Sequence, residues 1–296
     1  MKTRWLTAGL AALLAVPLHA DTLQPFGIEG MGVVSTADSE VRASVSPDGQ
    51  RIVWGSRDRK GGAGGYDLWQ AERRDGRWVD ARPLSIDTPA KEFDPMFSAD
   101  GRWLYFFSDR AGGSGRDDLY RSRVTPEGFG APELLGPGVN SRGNEWAPTP
   151  SADGRHLMFA SDGFGGAGGH DLLVARWNGT AFVDPVPVPG VNTAGDEFDA
   201  AWLGKGEAIV FAQARDIARD PVRLMVAWCD GRAYVDPQPV ALPFNGPDDN
   251  TYGPVVDPSR PSELLVNGIA KAPSAGKQDI YRIRAPRTPG KPGCLS

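Results

Sequence analysis

Four glutamates, Glu40, Glu92, Glu145 and Glu197, recur at separations of 52, 53 and 52 residues, and Thr251 follows after a further 54. Carboxylates gathered round one axis can serve as the acid and base of glycoside hydrolysis, which needs a pair roughly 5–9.5 Å apart. They can also hold a cation. Catalysis, however, requires two carboxyl groups in unlike environments, whereas a repeat places one residue type in equivalent environments. The plainer role is a cap on backbone N–H groups where one repeat hands over to the next. If the four instead surround a channel mouth, with Thr251 breaking the ring, their mutual repulsion calls for raised pKa values, for calcium, or for a basic peptide segment. These five residues are the candidate ligand-binding set.

Other catalytic constellations are missing from the sequence. There is no G-x-S-x-G elbow, no H-E-x-x-H and no Cys-x-x-Cys, so neither a nucleophilic hydrolase nor a zinc enzyme is indicated. His156 and His170 stand where the preceding copy has Trp103 and Asp117, which reads as variable strand or rim positions. No residue is assigned a catalytic role, and the metal question stays open. The glycine-rich stretches SRDRKGGAGGYDLW, SDRAGGSGRDDLY and SDGFGGAGGHDLL match neither phosphate-loop pattern, and their aspartates lack the spacing of an EF-hand. As repeated hairpins they use glycine for left-handed backbone. Asp58, Asp109 and Asp162 before the turn, and Asp67, Asp118 and Asp171 after it, are expected to accept N–H bonds within the hairpin.

The elements that position these residues follow from the repeat. In the second copy a short strand from Pro95, a turn at Ala99-Asp100-Gly101, an aromatic strand Trp103–Phe107, a strand from Asp118 and a last one at Glu133 succeed one another. Four short antiparallel strands in about 50 residues is the pattern of a propeller blade. The fold class expected is all-β, a five-bladed propeller of four-stranded blades, with six blades as the alternative. Residues 34–40 match 191–197, so the chain starts with the tail of a repeat and ends without one. A strand within Leu23–Met31 is therefore expected to supply the missing outer strand of blade five and close the ring. The expected division is a signal peptide over 1–20, one propeller domain over 21–285 and a tail over 286–296. Most of the eight tryptophans from Trp54 to Trp228 recur on strand positions and read as packing between blades.

The succession Ser-Pro/Ala-Asp-Gly, aromatic strand, Ser-Asp, glycines and Asp-Leu-Tyr/Trp resembles the propeller repeat of the TolB-like family. The likeness is strong in copies one to three and weak in copies four, at Gly204-Lys205-Gly206, and five, at Asp257-Pro258. It implies the fold and an exported location, with extended segments received at the channel mouth. The family's N-terminal α/β domain has no room before Ser39, so the resemblance covers the propeller part only.

Lys2 and Arg4, an apolar run to Val16 and Leu18-His19-Ala20 read as a secretory signal, which places the product in the periplasm or outside the cell. Its removal leaves 30 basic and 37 acidic residues, net −7, without the basic face that nucleic acid requires. No membrane span is expected, and the chain reads as a monomer. Cys229 and Cys294 are an even pair in an oxidising compartment, open to a disulfide tying the tail to blade four or to two buried thiols. The function expected is a non-catalytic binding or scaffold module for a protein, peptide or envelope component. A glycosidase or lyase using channel carboxylates, and a structural part of an envelope complex, are the alternatives. No cofactor is expected, calcium aside.

Overall fold

The structure, a computed structural model, describes residues 24–57 and 59–295. The expected signal segment and Asp58 lie outside the described residues. Twenty-one strands and no helix are found among the described residues, and they form five antiparallel sheets. Blade one is built from Ser39–Val45, Arg51–Arg57, Tyr66–Arg74 and Arg77–Pro83. Blades three and four repeat that order over Glu145–Pro187 and Asp196–Pro239. In blade two the outer edge is divided between Gly128–Phe129 and Glu133–Leu134, both paired with Asp118–Thr125.

Blade five shows why the ring closes. Its inner three strands, Tyr252–Val256, Glu263–Gly268 and Asp279–Arg284, come from the end of the chain, while its outer strand is Phe26–Ile28. Phe26 pairs with Ile283 and Ile28 with Tyr281, so the N-terminal strand expected from the sequence covers an edge that would otherwise stand open. Phe26 also packs edge-on against Phe244 and Tyr281, at 5.0 and 5.5 Å. At the other terminus Cys229 and Cys294 form a disulfide, with Cα atoms 6.0 Å apart. Lys291 N–H donates to Cys229 O at 2.8 Å, which lays the tail on blade four.

Each blade buries its second strand almost completely, as in Ile52–Ser56 and Leu104–Ser108. Leu, Val, Ile and aromatic side chains from facing sheets fill the space between blades. Trp54, Trp69 and Trp78 belong to this core at 0–7% exposure, and Trp103, Trp146, Trp177, Trp202 and Trp228 are only half-buried. The turn after the inner strand is fixed by a serine hydroxyl donating to the aspartate two residues on, at Ser98–Asp100 (2.6 Å) and Ser151–Asp153 (2.7 Å).

Candidate functional site at the channel

The inner strand of every blade carries a bulge two residues after the repeated glutamate or threonine. The register slips there in all five sheets, and the residue at the slip has positive φ: Arg42 (44°), Asp94 (53°), Ala147 (53°), Asp199 (44°) and Gly253 (65°). A non-glycine residue in this region is uncommon, and a bulge re-aims its side chain. Here the re-aimed side chains meet on the axis. From blade one, Arg42 reaches Asp199 Oδ1 of blade four at 3.3 Å, and Thr149 Oγ1 and Ala147 O of blade three at 2.7 and 3.4 Å. Gly253 N–H of blade five donates to Asp199 Oδ2 at 3.1 Å. One side chain thus joins three blades and fills the channel, with Arg42 fully buried and Asp94 and Asp199 at 6% and 3% exposure.

Two carboxyl groups face one guanidinium. Burial raises the Asp199 carboxyl above its ordinary value, against the charge of Arg42 and the Gly253 N–H. Asp94 is pushed well above its ordinary value by burial and by the charge of Asp199, with Arg42 a weaker opposing influence.

The expected acidic ring lies two residues before these bulges. Glu40, Glu92, Glu145 and Glu197 are all fully buried. Each accepts the N–H and the hydroxyl of the residue four before it: Thr36 (2.9 and 2.6 Å), Thr88 (2.7 and 2.7 Å), Ser141 (2.9 and 2.5 Å) and Thr193 (2.7 and 2.6 Å). Their own N–H groups stitch blades together, as Glu145 to Asp117 O and Glu197 to His170 O, both at 2.8 Å. Thr251 keeps this stitch, donating its N–H to Val222 O at 2.9 Å, and turns its hydroxyl to Phe244 O. Burial raises Glu40 to about 7 and raises Glu145 as well, in both cases against the hydrogen bonds from the residue four before.

The hairpin aspartates divide into two kinds. Asp67 takes the N–H groups of Ala63 and Gly64, Asp118 those of Ser114 and Gly115, and Asp171 that of Gly168. Asp109 and Asp162 instead reach out of the hairpin to the N–H groups of Lys91 and Asn144, at 2.7 and 2.6 Å, because the residue before the glutamate comes alongside the turn. The glycines do more than permit positive φ, which Gly61, Gly112 and Gly165 have. A Cβ on Gly62, Gly113 or Gly166 would run into the carboxylate of Asp67, Asp118 or Asp171.

Above the closed axis, the residues that start the inner and third strands form the mouth. Trp146 stacks on His170 at 3.9 Å between ring centres, and its indole N–H donates to Asp117 at 2.8 Å. Lys91 Nζ reaches the same carboxylate at 2.6 Å. His170 Nδ1 lies 2.9 Å from Asp196. Burial opposes the charge on Asp196, but the N–H of Ile217 and the ring and N–H of His170 outweigh it and hold the carboxyl below its ordinary value. Tyr66 stands edge-on to Phe93 at 4.8 Å, and the Tyr252 hydroxyl donates to Gln278 at 2.7 Å. The mouth is therefore aromatic with a polar, prearranged rim. Sequence reasoning on the repeated glutamates missed both layers. The signal was available two residues further on, where Arg, Asp, Ala, Asp and Gly succeed one another inside otherwise apolar strands.

No protein-family model and no curated protein sequence matches the chain. Solved structures do. An endo-arabinase from Bacteroides thetaiotaomicron superposes with a TM-score of 0.57 at 13% identity, over 90% of this chain and 100% of that one. The catalytic domain of the Coprinopsis cinerea GH62 α-L-arabinofuranosidase gives 0.55 at 11%, over 88% and 97%. TolB from Acinetobacter baumannii gives 0.51 at 11%, over 85% of this chain and 55% of TolB, so the chain spans about half of that protein. At these identities the likeness shows the propeller fold and nothing finer, the five blades being read from the strand order. No described helix is long and apolar enough to cross a membrane.

Proposed function

We propose that this propeller is an exported, non-catalytic binding module whose protein or peptide ligand docks on the aromatic mouth of the channel. The observation that carries the reading is the closed axis. Arg42, held by Asp199, Thr149 and the Ala147 carbonyl, occupies the space in which a substrate would have to meet the two inner-strand aspartates. Above it half-buried Trp146, Tyr252 and Lys91 form a rim, with Lys91 and Trp146 held by the buried Asp117 carboxylate, an arrangement suited to adhesion rather than turnover. In this reading Glu40, Glu92, Glu145, Glu197 and Thr251 shape the mouth by fixing the hand-over loops. The disulfide and the likeness to TolB support an exported location.

A second reading, a glycosidase, is favoured by one observation: Asp94 and Asp199 occupy equivalent positions in unlike environments, as an acid and base pair must. One experiment separates the two. A photo-crosslinking residue at Lys91 or Gln278 in the exporting cell should trap a polypeptide, while purified protein releases no sugar from arabinan or a wider glycan panel. Release by the wild type and not by Asp94→Asn would replace the binding reading with the glycosidase one.

A further inference from the structure

The gap between blades two and three, on the face opposite the channel mouth, departs from the repeat in a way that packing does not require. It encloses about 320 Å3 between two identical turns, Ser98-Ala-Asp-Gly-Arg102 and Ser151-Ala-Asp-Gly-Arg155, within the roughly 300–1,000 Å3 typical of small-ligand sites. The neighbouring gap between blades one and two is built from the same strand positions and serves as an internal comparison. There the second strand begins with Arg51, paired with Glu72, where blade two has Trp103 paired with Arg123. Near its end the third strand of the facing blade has Val124, paired with Phe129, where blade three has Trp177 paired with Phe182. The neighbouring gap is the larger, at about 780 Å3, so what sets this one apart is its pair of half-buried indoles rather than its size.

The chemistry of the lining selects the ligand. Arg121 lies 4.0 Å above the Trp103 ring and 5.9 Å from that of Trp177, so a planar set of N–H donors stands between two aromatic surfaces. Its charge is already matched by Glu133 at 3.0 Å, and Arg102 is matched by Asp100 at 2.6 Å. Arg155 and Asp153 stand 3.9 Å apart on the other wall. Arg121, Arg102 and Arg155 thus each stand beside a carboxylate, which weakens their pull on a charged ligand, while Arg123 also lies 4.6 Å over the Trp103 ring. Neutral saccharides have what remains: C–H faces that cover indole rings and hydroxyls that both donate and accept.

We propose that this gap is a binding site for a neutral oligosaccharide, with a sugar ring against Trp177 and hydroxyls to Arg121 and the Ser-Ala-Asp turns. The site is separate from the channel mouth and does not depend on the reading given for it. The test uses the full chain carrying Asp94→Asn, so that binding is not confused with turnover. Neutral, uronic-acid and amino-sugar oligosaccharides and a proline-rich peptide are titrated by calorimetry and by tryptophan fluorescence. Trp177→Val and Trp103→Arg are the variants, since each installs the residue that the neighbouring gap tolerates. A neutral oligosaccharide should bind, and each variant should weaken it about tenfold or more with its melting temperature retained. Three outcomes overturn the assignment: binding of only the charged glycans or only the peptide, no binding at millimolar ligand, or equal binding by variants that melt like the parent.

Discussion

Asp87 stands at the hand-over after blade one where Asn140 stands after blade two. Both accept the N–H of the third-strand leucine, Leu68 at 3.2 Å and Leu119 at 2.7 Å, but only Asn140 returns hydrogens, to Leu119 O and Leu135 O. Asn192 and Asn245 repeat the two-way arrangement. Burial pushes Asp87 from 3.8 up to about 8. The folded protein then keeps a proton that the unfolded chain loses, so this contribution to stability is complete below pH 3.8 and fades as pH rises to about 8. Glu40, raised to about 7, slopes the same way. Asp87→Asn should therefore stabilise the protein by about 1–3 kcal/mol, more at pH 8 than at pH 5. Thermal melts of both proteins across that range decide it, and a gain independent of pH contradicts the account.

Arg42 is the cation that faces the buried Asp94 and Asp199 carboxyl groups. Arg42→Met should cost about 3–5 kcal/mol, the usual penalty for stranding a buried charge. Adding Asp94→Asn and Asp199→Asn should recover most of that loss in urea unfolding. A triple variant as weak as the single one would show that Arg42 acts by filling space rather than by charge.

Gly166→Ala drives a methyl group into the Asp171 carboxylate and should destabilise by about 1–3 kcal/mol. Gly136→Ala, where a Cβ meets nothing within 4 Å, should be close to neutral. Equal effects of the two would mean that the hairpin glycines are needed for backbone freedom alone.

The disulfide closes a 65-residue separation, and its replacement by Cys229→Ala/Cys294→Ala should cost about 2–4 kcal/mol. Phe26→Ala removes the aromatic contacts of the closing strand to Phe244 and Tyr281 and should lower stability independently. Chemical unfolding of the two variants and their combination should give additive losses, since the two anchors sit on different blades.

The blade plan was legible because the turn chemistry is written locally: Ser-Ala-Asp-Gly, the glycine run and the glutamate recur at a fixed period, and each has one conformational use. Even the closing strand could be inferred, from the match of residues 34–40 to 191–197. The axis was not legible for the opposite reason. Arg42, Asp94 and Asp199 come together only after five bulges turn them inward, and although these polar residues stand out inside apolar strands, nothing local in the sequence says that a bulge aims them at a common axis. The glutamates drew the eye because they repeat, yet their partners are four residues away in sequence, so their role is local.

The pairing of Phe26–Ile28 with Asp279–Arg284 sets an order of assembly. The first strand to leave the ribosome finds its neighbour only when nearly the whole chain has been made, more than 250 residues later. Until then blades one to four can each gather their own strands from adjacent sequence, but the ring has no seal and the opening segment has nothing to pair with. Closing so long a loop is entropically the slowest contact of the fold. The propeller therefore closes after synthesis rather than during it, and Phe26–Ile28 are among the last of its described residues to be seated.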